Sequence, residues 1–189
     1  MADSPKTAVV TGASQGIGAG AVEALLQRGY SVVASSRTIT KVNPFPPSER
    51  LALVDGDIGD PSTAAKIVAT ALARFGRIDA LVNDAGIYFS KHFTDYTIDD
   101  LRALLSVNIE GFVFITQRVV KQMLTQGTGG SIVNITASQA DHPIAGVNGS
   151  LPMITKGGLQ TVTRSLAMEY AKQDIRINAV APGVVETPM

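Results

Sequence analysis

One glycine-spaced octapeptide, Thr11-Gly12-Ala13-Ser14-Gln15-Gly16-Ile17-Gly18, limits what this chain can fold into more than any other feature. It follows the β-branched run Ala8-Val9-Val10 and opens a segment in which Ala21, Leu25 and Leu26 recur at helical spacing. Gly29 then stands where a helix C-terminus favours a left-handed residue. A strand that enters a glycine turn and leaves as a helix offers free backbone N–H groups and the positive end of a helix dipole, the natural seat of a phosphate. The glycines serve tight turning, close approach of backbone to a pyrophosphate, and close packing of helix on strand. Such spacing also occurs in ordinary loops; the strand-turn-helix setting is what gives it weight.

The alternation continues along the chain. Apolar runs at 7–11, 31–35, 51–54, 78–83, 131–136 and 176–181 predict strands, and 16–28, 61–75, 98–125 and 152–172 predict the helices between them. Thr97-Ile98-Asp99-Asp100 reads as an N-cap with an acid three residues on. Strands apolar at nearly every position need cover on both faces, so the sheet is parallel and lies between helical layers. Right-handed crossovers then leave a three-layer α/β doubly wound parallel sheet of about six strands, the Rossmann fold, as the main solution. Asn43-Pro44-Phe45-Pro46-Pro47 is a rigid loop after the second strand, with no chemistry assigned to it.

A length of 189 residues fits one domain, 1–189, with a core large enough to fold alone. Sixteen basic and sixteen acidic residues, scattered, leave no electrostatic footprint for nucleic acid or an anionic membrane. The absence of cysteine excludes disulfides and thiolate sites and makes the cytoplasm the expected compartment. Met1-Ala2-Asp3-Ser4-Pro5-Lys6 lacks a signal-peptide pattern. No apolar run is expected to approach the roughly 18 residues that span a bilayer. No metal site is expected.

In such a sheet ligands sit beyond the carboxyl ends of the strands. An NAD site would place an Asp or Glu about 20 residues past the glycines, on the ribose hydroxyls. The segment there is Ala34-Ser35-Ser36-Arg37-Thr38, without an acid. Arg37 offers a planar cation able to hold a 2′-phosphate, with Ser36 as a hydroxyl donor. A solvated surface arginine is the plainer alternative, but NADP(H) is favoured over NAD(H).

With these segments in this order, the chain resembles the short-chain dehydrogenase/reductase family. Thr11 to Gly18 is similar to the family's cofactor motif, which implies cofactor contacts from Gly12, Ser14, Gly16, Ile17 and Gly18. Asp57, with Ile58, stands where the family meets the adenine. Asn83-Asp84-Ala85-Gly86 is similar to its Asn-Asn-Ala-Gly motif, implying contacts from Asn83, Ala85 and Gly86, with Asp84 departing. Asn108 matches the asparagine that holds a proton-relay water, and Ser138, with Thr136 nearby, is the candidate for the serine that orients the substrate oxygen. Lys156 matches the lysine that binds the nicotinamide ribose; Pro182, Gly183 and Thr187 match the segment at the nicotinamide. The resemblance implies hydride transfer between NADP(H) and a small carbonyl compound or secondary alcohol, and homo-oligomer contacts from the helices at 98–125 and 152–172. The apolar residues of those helices are equally explained by packing on the sheet.

Two departures qualify this. Four residues before Lys156, where the family carries its tyrosine acid, stands Pro152, and no tyrosine lies between Tyr96 and Tyr170. Locally the proline is harmless: Ser150 is expected to cap the helix, and a first-turn proline removes only an orphan N–H. A positioned general acid is worth about 10² to 10⁴ in rate. The offered substitutes are a His142–Ser138 relay and a water held by Lys156 and Asn108, although His142, beside Pro143, also reads as a plain loop residue. The sequence also stops at Glu186-Thr187-Pro188-Met189, just past the sixth strand, and is expected to lack the family's substrate-covering segment and last strand. The alternative function is therefore a catalytically weak or inactive NADP(H)-binding protein, a sensor or partner subunit. A dehydratase using Asp141 and His142 is a minor third. Residues 144–150 and 89–96 are expected to line the substrate wall.

Overall fold

Six parallel strands form one sheet in the order β3-β2-β1-β4-β5-β6. They are β1 (Thr7–Thr11), β2 (Ser31–Ser36), β3 (Leu51–Asp55), β4 (Ala80–Asn83), β5 (Gly130–Ile135) and β6 (Ile175–Val180). The computed structural model describes residues 5–187; residues 1–4, part of the segment searched for a leader, and the last two residues lie outside them. The strand order reverses between β1 and β4, and this reversal opens a crevice at the carboxyl edge.

Every residue of β1 and the first five of β2 are buried, as two-faced cover requires. Val9 and Val10 show the alternation at work. Val9 belongs to the core on the side of α3 (Pro61–Phe75) and α5 (Gly111–Gln126), with Ile67, Ala71, Ile115 and Val119. Val10 belongs to the other core, with Val22 of α1 (Gly16–Gln27), Ile39 and Phe45. At the edge, β6 buries Ile175 and Ile177 while Arg176 and Asn178 face out. The caps act as the sequence expects: Asp60 accepts the Ser62 N–H with Pro61 at the helix start, and Thr97 and Asp100 form a reciprocal capping box.

Three expectations are corrected and one element is added. The 98–125 helix is three segments: α4 (Ile98–Leu104), a π-helical stretch Leu105–Glu110, and α5. The continuous Ile98–Gln126 is long and apolar enough to cross a bilayer by composition, contrary to the expectation that no such run exists. In this fold it is a sheet-packing helix, burying Leu104, Phe112, Ile115, Val119, Val120 and Met123. A short helix, α2 (Ile39–Val42), precedes the proline loop; Asp55 accepts both the N–H and the hydroxyl of Thr40, and Phe45 inserts into the α1-side core. Finally, α6 (Ser150–Tyr170) starts two residues early, so Gly149, not Ser150, is its N-cap. Pro152 falls on the third helical residue, whose N–H would be an orphan in any case.

Candidate active site

A cleft of about 500 Å³ lies at the carboxyl ends of the strands. Its floor is the glycine turn. Gly12 has φ +70°, and a Cβ there would stand 2.8 Å from the Ala85 backbone nitrogen. Gly16 has φ +58°, and its Cβ would stand 3.1 Å from the Thr187 methyl, so the turn and the segment after β6 face each other across the space. Gly18 is off the wall and has a packing role. A Cβ there would lie 2.5 Å from the Gly12 carbonyl oxygen and 2.7 Å from a carboxylate oxygen of Asp84. The cradle fits a pyrophosphate because Gly12 and Gly16 hold the positive-φ turn that brings backbone N–H groups to the cleft at the start of α1, with Ala85 and Thr187 packed directly against them.

Gly12, Ser14, Gly16 and Ile17 all line the cleft. At its far end stand Ser36 and Arg37, at and just past the end of β2, and Asp57 and Ile58, after β3. Asp57 accepts the Gly59 N–H at 2.9 Å, which fixes its turn. On the other side Ala85, Gly86 and Lys156 line the wall, and Pro182, Gly183 and Thr187 close it. Thr11 ties the halves together: its hydroxyl oxygen accepts the N–H groups of Asp84 (3.2 Å) and Ala85 (3.1 Å).

The sequence-expected polar residues do not all converge. Asn83 is buried behind the wall, donating to Thr116 Oγ1 and Asn134 Oδ1, both at 2.9 Å, while Asn134 donates to Thr163 Oγ1 at 2.8 Å. It locks β4 to β5 and the helices beneath. Asn108, on the π-helical stretch, accepts the Ile87 N–H at 2.8 Å and donates to the Ile87 carbonyl (3.1 Å) and Thr155 Oγ1 (3.0 Å). Both amide hydrogens are committed to the protein, so Asn108 clamps the loop after Gly86. π-Helical insertions often mark functional positions, and here one supplies that clamp.

Beyond β5 the wall is made by Thr136, Ala137 and Gln139, with the Thr136 hydroxyl donating to the Val180 carbonyl at 3.2 Å; Ser138 is not on it, and its N–H donates to the Pro182 carbonyl at 3.0 Å. His142 and Asp141 are exposed and off the wall, so no His142–Ser138 relay reaches the cleft. Pro152 is on the wall with Met153. Residues 89–96 and 144–150 are not; their place is taken by Ile87 and Tyr88. Two residues were missed as site components. Asp84 was visible only as a break in its motif, and Tyr88 lies two positions past Gly86, outside the helix where a phenol was sought.

Charge in the cleft centres on Asp84 and Lys156. Burial raises the Asp84 carboxyl from 3.8 to about 6, with the Lys156 charge and the Gly18 N–H pulling the other way. Burial also pushes the Lys156 ammonium below the usual lysine range, with Asp84 opposing. Lys156 Nζ donates to the Ile135 carbonyl at 2.9 Å.

A parallel sheet in this strand order, with a glycine cradle and a half-buried lysine at its switch point, defines a dinucleotide-binding Rossmann protein. Residues 6–189 match the family model described as short chain dehydrogenase, and the chain belongs to that family. It is 34% identical over 190 residues to an L-rhamnose 1-dehydrogenase (NAD(P)(+)) of Sphingomonas sp. (strain SKA58), covering 96% of this chain and 73% of the relative. A structure of ElxO with NADP bound superimposes with a TM-score of 0.89 at 30% identity, covering 97% of this chain and 75% of that one. The 3-ketoacyl-(acyl-carrier-protein) reductase of Brucella melitensis complexed with NADH superimposes with a TM-score of 0.88 at 26% identity, covering 97% and 77%. The family and these relatives make the chain an oxidoreductase of the short-chain dehydrogenase type.

Proposed function

We propose that the protein is an NADP(H)-dependent oxidoreductase acting between a small carbonyl compound and the corresponding secondary alcohol. The observation that carries this is the convergence of the glycine turn, Arg37, Lys156 and Thr187 on one cleft. A bound nicotinamide dinucleotide supplies or accepts the hydride. The N–H groups of the Gly12–Gly18 turn hold the pyrophosphate, and Asp57 with Ile58 meets the adenine. Arg37 and Ser36 take the 2′-phosphate, since no carboxylate at 34–38 competes for the ribose. Lys156 binds the nicotinamide ribose; Pro182, Gly183 and Thr187 fix the ring. The reading includes a cytoplasmic location.

The test is NADPH oxidation over a panel of aldehydes and ketones with the native protein and Pro152→Tyr in parallel. Turnover by the native protein supports the reading. Turnover confined to the variant would replace it with an NADP(H)-binding protein whose proton donor has been lost.

A further inference from the structure

We propose that Tyr88 is the proton donor of this site, a phenol displaced from helix α6 to the loop after β4. The proposal rests on the oxidoreductase reading. Of the four tyrosines, Tyr30, Tyr88, Tyr96 and Tyr170, only Tyr88 lines the cleft. Its ring lies over Gly149, where a Cβ would stand 2.8 Å from the Tyr88 oxygen; glycine there leaves the space the hydroxyl occupies. Residues 149, 152 or 153, and 156 share one face of α6. The hydroxyl therefore lies over the row that carries Pro152 and Lys156, one turn from the position where the phenol is absent.

Two further observations separate this from a chance surface tyrosine. The loop is held: Asn108 grips both backbone groups of Ile87, the preceding residue, and the same amide reaches Thr155, the neighbour of Lys156. The hydroxyl is also uncommitted. Tyr96 donates to the Phe89 carbonyl at 3.0 Å, whereas the Tyr88 hydroxyl has no hydrogen-bond partner among the described residues. A polar tip left free on the wall of a cleft is available to a ligand oxygen.

In the reductive direction a bound reduced nicotinamide would supply the hydride, with its electron pair, for the new C–H bond at the carbonyl carbon and would itself be left oxidised. The carbonyl π pair moves to oxygen, which takes the Tyr88 proton. Water at the open side of the ring, 42% of whose residue surface is exposed, returns a proton to the phenolate. Alcohol oxidation runs the same steps backwards.

The experiment compares native protein with Tyr88→Phe, a change that keeps the ring on Gly149. NADPH affinity, read from nicotinamide fluorescence, is expected to stay within about twofold while kcat for aldehyde reduction falls by about 10² to 10⁴. An activity-independent arm labels the protein with 3-fluorotyrosine and assigns the Tyr88 resonance by its loss in Tyr88→Phe. That resonance is expected to shift when NADP⁺ and isobutyramide, an unreactive carbonyl mimic, are added together. Full turnover in Tyr88→Phe, or a resonance that does not move, overturns the Tyr88 assignment and leaves the oxidoreductase reading standing. A native protein that binds NADPH but reduces no carbonyl compound overturns both.

Discussion

The two halves of the cleft are built by different means. In the β1–α1–β2–β3 half the floor is a glycine turn, and sterics dictate its residues: Gly12 and Gly16 have positive φ, and Gly18 has no room for a Cβ. In the β4–β5–α6 half the wall is carried by side chains. Asn83 and Asn108 brace the frame behind it, Ser138 lies off the wall, and Asp84, Tyr88 and Pro152 face the cleft. A backbone cradle admits few substitutions before it collapses. A side-chain wall is under no such backbone constraint, so single substitutions there leave the frame in place.

The largest effect should come from the half with no tolerance. Gly18→Val puts a Cβ 2.5 Å from the Gly12 carbonyl oxygen and forces α1 off the turn, so NADPH affinity is expected to fall at least about 100-fold. Stability should fall by about 1–3 kcal/mol or more, as overpacking of a closed contact does. Gly20→Ala, two residues along the same helix with nothing within 4 Å of its Cβ, should instead gain about 0.5–1 kcal/mol in a thermal melt with affinity unchanged. If both variants bind alike, the steric account of the nucleotide half is wrong.

In the other half Asp84→Asn tests a charge the fold barely accommodates. The carboxyl titrates at about 6 instead of 3.8 because burial favours its neutral form. For an acid with a raised folded value, stability is highest below 3.8, declines as pH climbs towards 6, and stays reduced above that. At 1.36 kcal/mol per pH unit the ionised group costs up to roughly 3 kcal/mol at neutral pH. Asparagine keeps an acceptor for the Gly18 N–H and removes that cost, less what Lys156 loses with its counter-charge. Melts at pH 8 should rise by about 2–4 °C per kcal/mol gained. The advantage over native should shrink as the buffer is taken from pH 6 to pH 4. A difference independent of pH would assign the change to packing and not to ionisation.

The frame was legible for local reasons. Strand β1 and helix α3 fall on their expected residues because an apolar run, a proline at a helix start and a C-terminal glycine are signals each segment carries itself. The site was legible only where it is made of backbone. Whether Ser138 or Ala137 faces the cleft depends on the 3₁₀ turn that opens at Ser138 past the end of β5, a one-residue matter that spacing does not resolve. Tyr88 reaches the cleft through a contact with Gly149, 61 positions away, and the clamp on its loop comes from a π-helical register that looks like ordinary helix in sequence. Long-range placement, not residue type, was the missing information.

The smallest effect, and the sharpest on nucleotide choice, belongs to Arg37. It lines the β2–β3 end of the cleft beside Ser36, the end proposed for adenosine, with no carboxylate in 34–38 to bind ribose hydroxyls. A charge-assisted hydrogen bond contributes about 1.5–3 kcal/mol, which corresponds to a 10- to 150-fold change in affinity. Arg37→Ala should therefore weaken NADPH by that factor and leave NADH nearly as it was, since only one of the two carries the phosphate. Screening adds a second reading: the native preference for NADPH should narrow as salt rises, and the variant's should not. Equal losses for both nucleotides would make Arg37 a general wall residue. The nucleotide half would then owe its selectivity to the glycine cradle alone, which has no means of telling the two apart.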